Sequence, residues 1–189
     1  MILLARHGET PDNAPPQRFM GSRDTPLSEL GVEQARDLAT VVEPLRPAAI
    51  WSSSLQRALA TAQVAAAASG LAVQVDERLN ESHRGAWEGR RVDEIAAQEP
   101  DAWAAWLRAG ATFRFPGGES LAEHQERVVR ALAAIADGPL PALVVCHGGT
   151  IRCAFAAAHP AGLDAFHDLD VPHATILEFD EAILRRPSR

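Results

Sequence analysis

Two short runs of apolar residues constrain the fold of this chain most strongly. The run "ILLA" occupies residues 2–5, and the run "ALVVC" occupies residues 142–146. A strand with one face toward water alternates apolar and polar residues, whereas a strand covered on both faces is apolar throughout. The two runs are therefore predicted to be strands buried on both faces, as in a parallel sheet.

Helical and strand patterns alternate along the rest of the chain. Further strands are predicted over residues 48–53, 71–75 and 174–180. Helices are predicted from an N-cap at Ser28 to near Pro44, from near Ser54 to Gly70, from Val92 to Ala109 with an interruption near Pro100, from about Ser120 to Ala136, and after "HGGT". Strands separated by helices indicate an α/β fold with a mainly parallel sheet. At 189 residues, the chain is expected to form a single domain over residues 1–189.

The composition argues against several classes of partner. The formal net charge is −7, whereas proteins that bind nucleic acid or an anionic membrane surface present an excess of Lys and Arg. A small anionic substrate stays compatible, because a local arginine cluster can lie in an acidic protein. No apolar run approaches the roughly 18 residues of a spanning helix, and the N-terminal segment does not read as a signal peptide. Cys146 and Cys153 are expected to be buried thiols of a cytoplasmic protein.

Both of the most apolar strands end in a histidine followed by glycine. His7 follows "LLAR" and His147 follows "LVVC", and the carboxyl edge of a parallel sheet is where such folds bind ligands. Arg6 precedes the first histidine, and Arg57 lies in the first turns of the helix after the strand "AIWSS". We therefore expect two histidines and two arginines to converge on one anion site, although either histidine alone is compatible with a structural role.

Six segments carry a family resemblance, in order and at natural spacing. They are "LARHGET", "RFMGSRDTPLSELGVEQARDLA", "IWSSSLQRALATA", "LNESHRGAWEG", "FPGGESL" and "VVCHGGTIR". Together they resemble the successive motifs of the histidine phosphatase superfamily, the phosphoglycerate-mutase-like proteins. The resemblance runs from residue 2 to about residue 155 and is loose beyond it. It implies a three-layer α/β/α sandwich with a mainly parallel sheet.

The resemblance also implies a role for each matching residue. His7 is implied as the nucleophile that forms a phosphohistidine. Glu81 is implied as the acid that protonates the leaving group and then as the base that activates water. The side chains implied to hold the phosphoryl oxygens are Arg6, Asn13, Arg57 and His147. Further substrate contacts are implied for Gly21, Arg84 and Gly148, and for Arg18 and Phe19, whose alternative role is packing within their loop.

Phosphoryl transfer requires these residue types for chemical reasons that do not depend on the resemblance. Phosphoryl transfer spreads negative charge over the equatorial oxygens, so fixed cations and donors aimed there lower the barrier. Arginine suits this task because its planar fork stays charged and can bind two oxygens. A neutral imidazole is a good nucleophile near neutral pH when its other ring nitrogen keeps its proton on a backbone acceptor. No step needs a metal ion or an organic cofactor, and neither is expected.

The chain departs from the family pattern beside Glu81. Arg84 stands where the family usually has an aromatic residue, which changes the expected pocket shape and adds a cation that could contact substrate. His83 is also unusual there, and is expected to be either a substrate contact or an exposed loop residue.

Several other residues are expected to be structural. Backbone anchors are expected at Glu88 and Glu119, and packing residues at Trp103 and Trp106. The histidines without metal-ligand spacing are interpreted as structural: His124, His159, His167 and His173. Gln125 and Arg127 are expected to be solvated helix positions.

The length of the covering segment favours hydrolysis. About 35 residues separate Glu81 from "PGGES", whereas the family's mutases resemble longer chains with a large insertion at this point. A short segment leaves the pocket open to water, so we predict a phosphomonoester hydrolase for a small phosphorylated metabolite. A cofactor-dependent phosphoglycerate mutase is the alternative, and a non-catalytic phospho-ligand-binding module is a third. α-Ribazole phosphatases and sugar-phosphate phosphatases match about equally, so the substrate and the oligomeric state stay open.

Overall fold

The computed structural model describes residues 1–185, which contain one five-stranded sheet. The strands are β1 (Ile2–Arg6), β2 (Ala49–Ser52), β3 (Val73–Val75), β4 (Ala142–Cys146) and β5 (Ile176–Phe179), in the order β3-β2-β4-β1-β5. The first four run parallel, and β5 pairs antiparallel with β1 at one edge. The predicted mainly parallel sheet is thus confirmed. Arg6 pairs with Cys146, so β1 and β4 end side by side and bring His7 next to His147.

Helices cover both faces of the sheet. Leu3 and Ala5 of β1 pack with α1 (Glu29–Val42) and α2 (Gln56–Ser69) on one face. Ile2 and Leu4 point the other way, into a cluster with α5 (Leu121–Ala136) and α6 (Gly148–Ala158). Successive strand residues face opposite sides of a sheet, so an unbroken apolar strand serves both clusters. The implied three-layer α/β/α sandwich is confirmed.

Local sequence signals set the helix ends. The Ser28 hydroxyl accepts the N–H of Gly31 at the start of α1, and Ser120 and Glu123 form a reciprocal capping box on α5. Gly70 ends α2 in the left-handed conformation, with φ of 71°. The predicted interruption near Pro100 separates α3 (Val92–Gln98) from α4 (Pro100–Arg108). β5 begins later than expected because Ala174 has φ of 54°, which a strand does not accommodate.

A cluster of aromatic rings forms a third core beside the sandwich. We call it the aromatic wall, and its members are Phe19, Trp87, Trp103, Trp106, Phe113, Phe115 and Phe166. The Trp87 side chain is fully buried, and its Nε1 donates to the Glu99 carboxylate at 2.8 Å. Trp103 and Trp106 are packing residues, as expected. The wall is built mainly from the segment between Glu81 and α5, so the short covering segment has a core of its own.

In residues 1–185, no helix is both long enough and apolar enough to cross a bilayer.

Candidate active site

A cavity of about 280 Å³ opens at the carboxyl edge of β1 and β4. Its lining consists of Arg6, His7, Asn13, Gln17, Arg18, Phe19, Met20, Gly21, Arg57, Glu81, Arg84, Val92, Gly148, Gly149 and Arg152. Every residue implied by the resemblance lies in this lining except His147, which lies behind it. The sequence interpretation missed five members, of which Arg152 is the charged one. The sequence did contain a signal for Arg152. This residue follows Gly148 by four positions, which places both residues on the same face of α6.

His7 is held with one ring nitrogen free of hydrogen bonds. Its Nδ1 lies 2.6 Å from the carbonyl oxygen of Gly8, and a carbonyl can only accept, so Nδ1 carries the proton. Within residues 1–185, Nε2 has no hydrogen-bond partner. Burial and the nearby Arg57 and Arg6 cations hold the pKa of His7 well below its ordinary value. The imidazole is therefore neutral at neutral pH, with a lone pair on Nε2.

His147 is fully buried beside His7, with the two ring centroids 5.1 Å apart. Its Nδ1 accepts from Nε of Arg57 at 3.3 Å, and its Nε2 therefore donates to the hydroxyl of Ser53 at 2.8 Å. Ser53 in turn donates to Oδ1 of Asn80 at 2.7 Å. Burial and the Arg57 cation keep the pKa of His147 well below its ordinary value. Here His147 orients Arg57, and its expected contact with a phosphoryl oxygen stays a prediction.

The two arginines of the site are anchored on backbone carbonyls. Arg57 donates to the carbonyl oxygens of Arg23 at 2.6 Å and Gly21 at 2.8 Å. Arg6 donates through Nη1 to the carbonyl of Val171 at 2.6 Å, while its buried Nε has no partner among the described residues. Burial lowers the pKa of each arginine to about 10, so both stay charged at neutral pH. A buried guanidinium with an unpaired N–H is suited to an anionic oxygen.

Asn13 is oriented by two neighbours. The Thr10 hydroxyl donates to its Oδ1 at 2.9 Å, and Nε2 of His173 lies 3.1 Å from the same oxygen. With the amide oxygen occupied, the NH₂ group is left as the free donor. The interpretation of His173 as merely structural was incomplete, because its ring lies 5.7 Å from that of His7. Burial lowers the pKa of His173 to about 4.

Glu81 lies in the lining as a buried, hydrogen-bonded carboxylate. The N–H of Ser82 donates to Oε1 at 2.9 Å, and the N–H of Gly149 donates to Oε2 at 3.0 Å. Gly149 permits this approach because a Cβ there would lie 2.3 Å from Oε1. Nη2 of Arg84 is 3.4 Å from Oε2. Burial raises the pKa of Glu81, but Arg84 and the two N–H donors together lower it well below its ordinary value.

Glu81 is contacted by two residues of α5, of which His124 was interpreted as structural and Arg127 as a solvated helix position. Nε2 of His124 lies 3.9 Å from Oε1 of Glu81, and burial lowers the pKa of this histidine to about 4. Arg127 was expected to be solvated, which is wrong. Its guanidinium donates to the carbonyls of Asn80 at 2.6 Å and Glu81 at 3.2 Å, and to the Glu119 carboxylate at 2.7 Å. The segment before Glu81 is irregular, so its backbone carbonyls lack partners in a helix or strand. The guanidinium of Arg127 supplies the hydrogen bonds that these carbonyls need.

The remaining predicted residues divide between anchoring and exposure. Glu88 accepts the backbone N–H groups of Ser22 and Arg84 at 2.9 Å each, which confirms it as an anchor. Gln125, also expected to be solvated, donates to the carbonyl of Cys153 at 3.1 Å. His83 is exposed and lies outside the cavity lining.

No group of three or more His, Cys, Asp or Glu side chains among residues 1–185 is arranged to hold a metal ion. The two cysteines are free and buried, as expected.

The chain is similar to proteins of one known family. The family model described as "Histidine phosphatase superfamily (branch 1)" matches residues 2–182. A glucosyl-3-phosphoglycerate phosphatase of Mycobacterium tuberculosis is 40% identical over 166 residues, covering 82% of this chain and 74% of that protein. A probable phosphoglycerate mutase GpmB of Escherichia fergusonii is 37% identical over 155 residues, covering 80% and 71%.

Solved structures agree with this assignment. The crystal structure of a putative α-ribazole-5′-P phosphatase from Escherichia coli has a TM-score of 0.81 and 28% identity, covering 93% of this chain and 87% of that one. The match over residues 2–182 includes both histidine-bearing strands and the covering segment. The chain therefore belongs to the histidine phosphatase superfamily and is an enzyme of its phosphatase type.

Proposed function

We propose that this enzyme hydrolyses the phosphomonoester of a small metabolite through a phosphohistidine on His7. One observation carries the proposal: the Nδ1–H of His7 donates to Gly8 and leaves Nε2 as a neutral nucleophile at the cavity. Arg6 and Arg57 lie close enough to His7 that their positive charges lower its pKa, after burial as the largest cause. The cavity volume of about 280 Å³ lies near the lower end of the range for ligand pockets, which suits a small substrate.

In the first step, Nε2 of His7 forms a bond to phosphorus as the bond from phosphorus to the leaving oxygen breaks. Charge on the equatorial oxygens is stabilised by Arg6, Arg57 and the amide NH₂ of Asn13. Glu81 gives its proton to the leaving oxygen. A bound phosphate raises the pKa of the neighbouring Glu81 carboxyl, so that the carboxylate can take up this proton as the substrate binds.

In the second step, water attacks the phosphohistidine. The oxygen–phosphorus bond forms, the nitrogen–phosphorus bond breaks, and the carboxylate of Glu81 takes a proton from the water. His7 returns to its neutral form, and inorganic phosphate leaves. At the end of this step Glu81 is again a protonated carboxyl group, and neither step uses a reductant, an oxidant or a metal ion.

Mutase chemistry is the second candidate, because one similar protein carries a mutase name. A mutase must keep water from the phosphohistidine until a second phosphoglycerate accepts the phosphoryl group. The aromatic wall is a compact core beside the cavity, and the segment that forms it is short. This arrangement favours hydrolysis over transfer between metabolites.

A panel of phosphorylated metabolites tests the proposal. It includes sugar phosphates, α-ribazole phosphate, glucosyl-3-phosphoglycerate and 3-phosphoglycerate, with phosphate release as the readout. Isomerisation of 3-phosphoglycerate is followed in parallel, with and without 2,3-bisphosphoglycerate. We expect phosphate release far above isomerisation. Fast isomerisation with slow phosphate release would establish the mutase instead.

We further propose that residues 1–189 form a single cytoplasmic domain. The described strands form one sheet, and the family match spans residues 2–182. Cys146 and Cys153 are free and buried, as suits a reducing compartment. The net charge of −7 supports the absence of a nucleic-acid or membrane partner.

A further inference from the structure

A short segment before β5 crosses the carboxyl end of β1, and we call it the C-terminal strap (residues 171–175). The N–H of Arg6 donates to the carbonyl of Thr175 at 3.1 Å. In return, the N–H of Ala174 donates to the carbonyl of Arg6 at 3.1 Å and to that of His7 at 3.4 Å. The strap therefore holds the backbone on which the proposed nucleophile stands.

One residue of the strap has a conformation that side chains rarely adopt. Ala174 has φ of 54°, in the left-handed region, where a non-glycine residue is uncommon. Such a conformation persists only where neighbouring contacts fix it, and the bonds of the Ala174 N–H to β1 do so here. At the other end of the strap, the carbonyl of Val171 accepts Nη1 of Arg6 at 2.6 Å. Held in this way, the strap sets His173 beside the nucleophile, with its ring centroid 5.7 Å from that of His7.

His173 donates a hydrogen bond to the side chain of Asn13. Its Nε2 lies 3.1 Å from Oδ1 of Asn13, and an amide oxygen can only accept, so Nε2 carries the proton. Burial and, after it, the Arg6 cation lower the pKa of His173 to about 4, so the ring is neutral at neutral pH and has this one N–H. The amide oxygen of Asn13 thus faces the strap, which leaves its NH₂ group for the cavity that Asn13 lines.

Thr10, the other neighbour of this amide oxygen, does not fix the orientation of the amide by itself. Its hydroxyl lies 2.9 Å from Oδ1 of Asn13 and 3.1 Å from Sδ of Met20, and it has one hydrogen for the two acceptors. A hydroxyl can also accept, so Thr10 would pair equally well with the NH₂ group of a reversed amide. The Nε2–H of His173 only donates and pairs only with the oxygen. His173 therefore determines which end of the Asn13 amide faces the phosphoryl site.

We propose, resting on the phosphatase function above, that His173 is a positioning residue for phosphoryl transfer and acts through Asn13. With Oδ1 held by His173, the NH₂ group donates to an equatorial oxygen as negative charge develops there. A reversed amide would instead direct its carbonyl oxygen at the phosphoryl group, and the oxygens would repel each other. The strap lies beyond residue 155, where the resemblance to the family is loose, so the sequence indicated only a structural role for His173.

A double-mutant cycle on p-nitrophenyl phosphate tests the inference. This ester has a good leaving group, so its hydrolysis depends on His7 and the phosphoryl contacts more than on the acid. His173→Phe keeps a ring at this position and removes the N–H donor, and we expect kcat/KM to fall about 3- to 10-fold, the range for a neutral hydrogen bond. Asn13→Ala is expected to lower kcat/KM about 10²-fold, as the loss of one donor to an oxyanion does. In the Asn13→Ala enzyme, His173→Phe should have almost no further effect, because the side chain on which it acts is gone.

The cycle separates positioning from a structural role. If His173 only supported the strap, His173→Phe would cause the same fold-loss in both backgrounds. His173→Gln offers an N–H donor to the same oxygen and is expected to retain part of the activity that His173→Phe loses. The control is His159→Phe, the same substitution at an exposed histidine outside the cavity lining, which should leave kcat/KM unchanged. Circular dichroism shows whether each variant folds, and His173→Leu gives a second reading if His173→Phe is unstable.

The possible failures of this inference and of the phosphatase proposal are distinguishable. An equal loss from His173→Phe in the wild-type and Asn13→Ala enzymes overturns the inference, as does an Asn13→Ala enzyme with wild-type kcat/KM. A wild-type background that loses nothing on His173→Phe overturns it as well. In each of these cases p-nitrophenyl phosphate is still hydrolysed, and the phosphatase proposal stands. Absence of phosphate release from this ester and from every metabolite of the panel refutes the phosphatase proposal and this inference with it.

Discussion

The two sides of the cavity are fixed by different kinds of contact. On the sheet-edge side, His7, Arg57 and Arg6 are each held by backbone carbonyls. On the side of the aromatic wall, Arg84 is held by ring faces and by side-chain oxygens. A backbone carbonyl persists through substitution at its own residue, whereas a ring or a hydroxyl does not. The comparison indicates that the sheet edge supplies constant chemistry and the wall supplies a substrate preference that substitution can change.

The largest effect is expected on the sheet-edge side. His7→Ala removes the nucleophile and is expected to lower kcat by about 10⁴-fold or more on any phosphomonoester, as in other enzymes that lose a nucleophile. Steady-state phosphate release measures the loss. The exposed His159 gives the matched control, because His159→Ala removes an imidazole outside the cavity lining and should leave the rate unchanged. A residual rate within 100-fold of wild type would show that His7 is not the nucleophile.

Glu81→Gln is expected to show the next effect, and its size depends on the leaving group. General acid catalysis is worth about 10²–10⁴-fold, so phosphoenzyme formation from an alkyl phosphate should slow by that factor. Nitrophenolate departs without a proton, and p-nitrophenyl phosphate should lose much less. Single-turnover kinetics isolates this step from base assistance in the second step.

The exposed His83 is the control for the acid. His83→Gln should have no effect, because its side chain lies outside the cavity lining. Equal losses for both leaving groups in Glu81→Gln would assign Glu81 to binding or folding. A leaving-group-dependent loss in His83→Gln would make this histidine the acid.

Stability should fall as the pH is lowered, because the sheet-edge side buries neutral histidines. Burial lowers the pKa of His7, His124 and His147, so the unfolded chain takes up protons below pH 6.5 that the folded chain does not. Each such group makes the free energy of unfolding fall by up to about 1.4 kcal/mol per pH unit. For His124 the window runs from pH 6.5 down to about 4. Urea unfolding between pH 7.5 and 5 measures the slope.

Two variants show whether His124 contributes to this pH dependence of the free energy of unfolding. His124→Gln should reduce it by up to about 1.4 kcal/mol per pH unit, while His159→Gln, at an exposed position, should not change it. A wild-type free energy of unfolding that stays constant from pH 7.5 to 5 would contradict the neutral state of the buried histidines.

The smallest effect is expected at the aromatic wall. Phe19 lines the cavity but is only 5% exposed, with its ring against Trp87 and Trp106. Phe19→Leu should lower the free energy of unfolding by about 1–2 kcal/mol, through lost ring contacts. We expect kcat/KM for p-nitrophenyl phosphate to change less than threefold. A large rise in KM with unchanged stability would instead make Phe19 a substrate contact, as predicted from the sequence.

The sequence allowed most of the sheet edge to be predicted. Apolar runs mark β1 and β4, and parallel strands end at one edge, so His7 and His147 had to meet there. The contacts of His173 and His124 were missed, because each depends on packing between segments far apart in the chain. Arg127 was missed for the same reason, since the carbonyls that attract it belong to an irregular segment without a pattern of its own.

The wall was predictable only in part. Spacing identified Trp103 and Trp106 as packing residues, but it did not show that Arg84 lies across neighbouring rings beside Glu81. From the sequence, an arginine at a usually aromatic position indicates only that a charged group replaces an apolar ring. The guanidinium carbon of Arg84 in fact lies 4.8 Å from the ring centroid of Phe19 and 5.4 Å from that of Phe115, so the charged group packs against the aromatic wall.

The chemical identity of the phosphoenzyme tests the central claim most directly. Wild-type enzyme is mixed with ³²P-labelled phosphomonoester, quenched within milliseconds under denaturing conditions, digested, and analysed by mass spectrometry at neutral to alkaline pH. We predict an acid-labile, base-stable phosphoryl group on the peptide that contains His7, and no label in His7→Ala. A base-labile acyl phosphate, or label on the peptide that contains His147, would contradict the account.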